Sequence, residues 1–509
     1  MGYEYQAVPI EPINEGDLEL LVGQERPKRS FARKVIRVAL TIALALALLH
    51  SFRSPTTMQS QDNDGLQRFE DYFASADHGE LVECYRKDEE SSFMSGEPPK
   101  PEPHHPHEPH HPHEPPPMQF VTLPDFSLKA DDIYFFTHNL RKHDNHHTTY
   151  GEIVFDVADS DSDEIVVSTE IGYRHHLLAD VCKFKREDGS LGVGVIIPHK
   201  HHKKPEDDVL PAGREGPGGP PPHHPHGPPP PPPGPPPPGH EHRRRPHHEH
   251  HHENNFVKLV VKFPASTDKP LKLKSLATRL PLYRHSLGAL GDSVHFDSLD
   301  LKAANVPIQS ESVTATNLDV RTINAKIDGS FNATNSLKIA TQNAPIDVSV
   351  SLTTTKAKDS DEPAILELHT SNAKLQAVIS LSASDDAAPG TFAVKTTTAN
   401  APLNVVFDSA PSDSTLKYRG ATANAPADVT LHSSYEGTFD LSTAWFEASI
   451  EVQEGTEDPA GRERKRSVTV NKVSRGKLEG ETYWGEKGDG TPAGTVQIST
   501  SLAPVSITV

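Results

Sequence analysis

The sequence predicts an all-β chain built around a repeat-built β-solenoid, preceded by an N-terminal transmembrane helix and interrupted by disordered segments rich in histidine and proline. Three observations carry this. A T-x-N-A-P motif recurs through the C-terminal half; its flanks alternate apolar and polar residues; and much of the histidine (31) and proline (47) falls in two tracts.

In chain order, residues 1–34 read as a cytosolic tail. Val38 to Leu49 (VALTIALALALL) is apolar, and the wider segment 35–52 spans about 27 Å as a helix, enough for a thin bilayer core. Arg26, Lys28, Arg29, Arg33, Lys34 and Arg37 precede it while Arg53 alone follows closely, so the positive-inside rule makes it a type II signal anchor. A cleaved secretory signal is the other reading, opposed by the long preceding segment. Both place the rest of the chain on the lumenal or extracellular side.

Residues 53–117 read as a disordered stalk ending in PEPHHPHEPHHPHEPPP, and 199–254 as a disordered insertion. Proline removes donors and favours extended polyproline II backbone, so both tracts are expected as spacers. His104, His105, His107, His110, His111 and His113 in the first, and His247, His248, His250, His251 and His252 in the second, are candidate ligands for weak Zn, Cu or Ni binding. Their irregular spacing lacks the geometry of a closed site, and the competing reading is a solvated spacer that charges below about pH 6.5. No other cofactor is expected. A formal charge of -20 argues against nucleic acid as a partner. Cys84 and Cys182 either form one disulfide in an oxidising compartment or remain two thiols.

Between the tracts, 118–198 carries strand-like runs (MQFVTL, DIYFF, GEIVFDVA, EIVVSTEIGY, LGVGVIIP), and NFVKLVVKFP resumes the texture after them. The second tract therefore reads as a loop inserted into one β unit. Within 255–509 the repeat takes over from about Ser293. Asn305, Asn324, Asn343, Asn372, Asn400 and Asn424 occupy equivalent centres, and Leu502 makes a seventh copy. Thr322, Thr341, Thr370, Thr398, Thr422 and Thr500 stand two residues before, and apolar residues recur at period two on both sides. Each unit is then strand, corner, strand. Asparagine suits a left-handed corner, threonine a turn amide, and stacking at about 4.8 Å would align the asparagines in a hydrogen-bonded ladder with Leu502 on the last rung. An antiparallel β-sandwich with T-x-N-A-P as its bends is the alternative fold.

On these repeated N-A-P and N-A-K corners, Ser293 to Val509 resembles the putative-adhesin family of β-solenoid surface proteins of unknown function, particularly its fungal single-pass membrane members. The resemblance implies attachment at a cell surface or wall; with the membrane expected from the anchor segment, the partners are then the membrane and a cell-wall glycan or surface protein.

The chemistry-bearing motifs are sparse. There is no G-x-S-x-G, H-E-x-x-H, phosphate loop or dinucleotide fingerprint. Asp328 and Asp347 fall at one outward offset and are candidates to share calcium, in a row otherwise made of Gln309, Gln376, Asn404, Asp428 and Ser506. Trp445-Phe446 and Tyr483-Trp484 suit either sugar stacking or coverage of the terminal coils. Asn332-Ala333-Thr334 is a glycosylation sequon expected in a surface loop. Asp458 to Val468 reads as a surface insertion, with Lys465-Arg466 either a dibasic processing site or part of a solvated loop. The expected role is a non-enzymatic structural or adhesive surface protein, with metal or pH response through the histidines and carbohydrate-active catalysis as alternatives.

Overall fold

A computed structural model describes residues 78–85, 117–139, 149–159, 164–174, 179–197, 255–265, 269–355, 362–384, 389–486 and 494–509. The expected tail, the segment 35–52, both histidine-proline tracts and all eleven candidate metal ligands lie outside these residues. Among the described residues no helix is long and apolar enough to cross a membrane.

The described residues are all-β. In chain order the strands are β1 (Glu80–Tyr85), β2 (Gln119–Leu128), β3 (Asp132–Asn139), β4 (Thr149–Val157), β5 (Ile165–Tyr173), β6 (Asp180–Lys185), β7 (Leu191–Ile197), β8 (Asn255–Phe263) and β9 (Leu271–Arg279). There follow β10 (Tyr283–Ala289), β11 (Val294–Lys302), β12 (Ile308–Arg321), β13 (Ile327–Ala340), β14 (Ile346–Thr354), β15 (Ala364–His369), β16 (Leu375–Ala383), β17 (Thr391–Thr397) and β18 (Leu403–Ser409). The last are β19 (Thr415–Ala421), β20 (Ala427–Thr430), β21 (Gly437–Thr443), β22 (Ala448–Glu451), β23 (Arg466–Ser474), β24 (Lys477–Trp484), β25 (Gly494–Thr500) and β26 (Val505–Thr508).

These 26 strands join in one open sheet. Its pairing resolves into two ladders that meet at a shared corner edge. One ladder contains the strands that enter a corner: β3, β9, β11, the second half of β12, the second half of β13, β15, β17, β19, β25 and β21, each parallel to the next. The other contains the strands that leave it: β8, β4, β10, the first halves of β12 and β13, β14, β16, β18, β20, β26 and β22. A corner with its two strands forms a rung. Because β12 and β13 run through both ladders, the ladders are continuous.

The period-two pattern explains the register. Leu299, Leu318, Leu337 and Leu366 are successive partners in the entering ladder, and Ile308, Ile327, Ile346, Leu375, Leu403, Ala427 and Val505 in the leaving one. All are buried. A one-residue slip would turn every such residue to solvent, so the alternation fixes the pairing. The antiparallel sandwich is therefore not what forms: the repeat pairs in parallel, and antiparallel pairing is confined to the ends, at β2–β5–β8, β1–β6–β7 and the hairpin β23–β24 on β21.

The strands of 118–198 and 255–509 belong to one compact unit, Asp77–Val509, and two placements differ from the sequence expectations. β1 lies inside the segment 53–117 expected as stalk; its partner β6 is nearly a hundred residues away, so no local periodicity announces it, and Cys84 and Cys182 are bonded cross-strand partners. Finally, the copy at Thr500 is not the last rung. β25 pairs with β19 on one side and β21 on the other, and β26 lies between β20 and β22. The end rung is β21–β22, which precedes β25–β26 in the chain and turns at Trp445.

Candidate binding edge

The corners line up into one edge of the fold. Asn324 Nδ2 donates to Asn305 Oδ1 at 2.7 Å, Asn343 to Asn324 at 2.7 Å, Asn372 to Asn343 at 2.7 Å, Asn400 to Asn372 at 2.7 Å, and Asn424 to Asn400 at 2.6 Å. Six exposed carboxamides thus form an aligned chain of dipoles in which each bond polarises the next. The predicted ladder is present, but the left-handed backbone expected at its corners is not. None of these asparagines has a positive φ; among the described residues, Asp413 and Glu463 are the non-glycine residues that do. Asparagine is required here because a carboxamide both donates and accepts, which lets one side chain link two rungs.

The threonines act similarly, through carbonyls instead of turn amides. Thr322 Oγ1 donates to Ala304 O at 3.0 Å and Thr370 Oγ1 to Ala344 O at 3.1 Å, each to the preceding rung. Backbone amides follow, as Asn324 N donates to Ala304 O at 2.8 Å and Asn343 N to Ile323 O at 3.0 Å. The corner is therefore satisfied almost entirely by its neighbour, as a stacked repeat requires.

Towards the C-terminal end of the edge the corner position passes from Asn424 to Leu502 and then Trp445, which are 52% and 63% exposed, with Phe446 at 45%. The two aromatic clusters thus separate. Trp484 is 4% exposed and donates from Nε1 to Ser433 O at 3.0 Å, covering the end of the stack. Trp445 and Phe446 project from it.

Towards the other end the corners become long connections. Strand directions bring β1 to β2, β5 to β6, β7 to β8 and β3 to β4 across this same edge. The connecting segments 86–118, 174–179, 198–254 and 140–148 carry 24 of the 31 histidines of the sequence. The strand ends that flank both proline-rich tracts therefore lie at the edge that also bears the asparagine ladder.

On the outward face of the leaving ladder, Asp328 and Asp347 are neighbours on adjacent rungs, as their offsets imply. A cation already serves them: Lys326 Nζ lies 3.8 Å from Asp328 and 3.5 Å from Asp347, and Gln309 Nε2 donates to Asp328 at 3.3 Å. Among the described residues no group of three or more metal-ligating side chains gathers. Asn332 sits within β13, half-buried, donating from Nδ2 to Thr314 Oγ1 at 3.3 Å, so its sequon lies on a strand face and not in a loop.

The segment Asp458 to Val468 is more organised than a solvated loop. The Asp458 carboxylate accepts from the backbone amides of Ala460, Arg462 and Arg464 and from the Arg464 guanidinium, which hold it well below the usual carboxylate range. Arg464 also reaches Glu436 at 3.1 Å. The Lys465 carbonyl accepts from Gly485 N at 2.8 Å and Arg466 begins β23, so the dibasic pair is built into the fold.

Two buried histidines escaped the sequence reading because each occupies a position that alternation assigns to apolar residues. His285 Nδ1 donates to Tyr283 O at 2.8 Å, which leaves Nε2 to accept from Thr278 Oγ1 at 2.8 Å. Burial pulls its pKa down to about 4. His432 is pulled to about 4 by burial and by the charge of Arg466.

No family model and no curated protein matches the chain. Among solved structures, the crystal structure of a putative cell adhesion protein from Clostridium sporogenes is similar at 6% identity, covering 77% of this chain and 99% of that chain with a TM-score of 0.15. A likeness at that score carries no argument for fold or role.

Proposed function

We propose that the two ladders close into a β-solenoid displayed by a single-pass anchor on the lumenal or outer side of a membrane, and that the corner edge binds a repeating surface polymer without chemical turnover. The observation that carries this reading is the exposed row of carboxamides, one per rung, running into Leu502, Trp445 and Phe446. Regularly spaced amides suit the hydroxyls of a repeating glycan, and an exposed indole offers a face on which a sugar ring can stack. The resemblance of the N-A-P corners to the putative-adhesin family agrees with a structural or adhesive role at a cell surface or wall.

The test is a glycan array probed with the unit Asp77–Val509, which keeps β1 and its disulfide. Retention of a repeating glycan, weakened about ten-fold or more by Trp445→Ala with Phe446→Ala, is the expected result. Absence of any retained glycan, or indifference to both substitutions, overturns the reading.

A second reading, metal or pH response, is favoured by the strand ends that flank the histidine-bearing segments, which share one edge. Calorimetric titration of the full chain with zinc and copper, compared with a chain lacking 199–254, tests it; no heat on the order of tens of micromolar metal sinks it.

A further inference from the structure

The inner face of the β23–β24 hairpin holds polar groups that the fold leaves unsatisfied. Arg466 lies opposite Trp484 and Val468 opposite Thr482, so their side chains share one face, and Thr482 is also the partner of Gly437 in β21. That face meets the segment His432 to Glu436, to which Trp484 bonds through both its indole and its backbone amide. All three guanidinium nitrogens of Arg466 are shut off from solvent and have no hydrogen-bond partner; the same holds for Thr482 Oγ1 and His432 Nε2. The carboxylate in this neighbourhood is already engaged, since Glu436 is taken by Arg464 and by Trp484 N. The Trp484 ring, 5.7 Å from the guanidinium carbon, is no substitute for an acceptor. A desolvated guanidinium without an acceptor is among the most unfavourable arrangements in a protein interior, so the face calls for a guest.

The tautomer of His432 narrows what that guest is. Ser434 has one hydroxyl proton, and it goes to Ala410 O at 2.9 Å. The 2.7 Å contact between Ser434 Oγ and His432 Nδ1 must then have Nδ1–H donating, which leaves Nε2 as a bare acceptor. The guest has to accept several hydrogen bonds from Arg466 and Thr482 and give one to His432.

We propose that the buried polar face between β23–β24 and His432–Glu436 binds a small oxyanion that carries a proton, of the hydrogen phosphate or bicarbonate class, anchored by Arg466 and Thr482 and recognised through its proton by His432. Sulfate has the same shape as phosphate but no proton at neutral pH, so the site distinguishes the two. This inference is independent of the corner edge.

The experiment is thermal unfolding of the full chain in detergent, titrated at pH 7 with inorganic phosphate and, separately, with sulfate. Phosphate raises Tm with its logarithm above a saturation point, and sulfate at equal concentration and ionic strength raises it less. Arg466→Met, which removes the charge and keeps much of the volume, abolishes the phosphate dependence while the chain still unfolds cooperatively. Thr482→Val, a smaller change, moves the half-saturating concentration several-fold upward and serves if the arginine variant does not fold. A flat response to phosphate means an ordered water fills the space and overturns the proposal. So does an equal response to sulfate, or a response that survives in Arg466→Met.

Discussion

At His285 an imidazole is kept neutral in the core, with its proton given to Tyr283 O and its lone pair to Thr278. An unfolded chain takes up a proton at this residue near pH 6.5, whereas the folded one does so only at about 4. Between those values the unfolded state binds more protons, so stability is fully present above about pH 6.5 and declines as pH falls towards 4. The span corresponds to about 3 kcal/mol per imidazole, and His432 adds to it in the same direction. Urea unfolding midpoints at pH 7 and pH 4.5 are expected to drop in the native chain and to drop less in His285→Gln. An unchanged pH slope in that variant would show that His285 is not the group responsible.

The corner element turns one residue type into a continuous structure. Asn343 makes two side-chain bonds, to Asn324 and from Asn372, whereas Asn305 at the ladder end makes one. Replacing Asn343 by alanine is expected to cost about 1–2 kcal/mol and replacing Asn305 about half of that, read from denaturant midpoints. Equal costs would mean the ladder bonds contribute nothing and the loss is local backbone preference. The corners and their strands were legible in the sequence because both depend on short-range periodicity: Leu318, Val320, Ile327 and Asn324 announce their positions by spacing alone. What was not legible depends on distant partners. β1 exists because β6 offers it an edge, Arg464 is ordered by Asp458 and Glu436, and Asn332 lies on a strand because β13 runs through both ladders. For asparagine the sequence announces the cross-rung bond, because regular copies imply stacking, whereas the left-handed backbone expected of it is absent because the neighbouring rung already satisfies the corner.

In the whole molecule, the spatial order of rungs departs from their order in the chain. Val496, Ile498, Val505 and Ile507 are buried between the β19–β20 rung and the β21–β22 rung, and both ladders depend on them for continuity. Deleting 494–509 is expected to abolish hydrogen-exchange protection in β21 to β24 while β11 to β16 keep theirs, because each rung is stabilised by its immediate neighbours. Uniform loss across the unit would show that the stack unfolds as one block. The corner motif alone could not reveal this arrangement, since near-identical copies fit any slot equally well. That interchangeability has a consequence during synthesis. Residues 437–451 leave the ribosome before residues 494–509, and at that moment the surface exposed by β19 and β20 is open to whichever strand pair arrives first. β21–β22 either waits beside a vacant slot or docks there and is later displaced by one rung. In either case the end rung is completed only when residues 494–509 stand between β19–β20 and β21–β22, so the last part of the chain to be made closes a gap inside the stack and does not extend it.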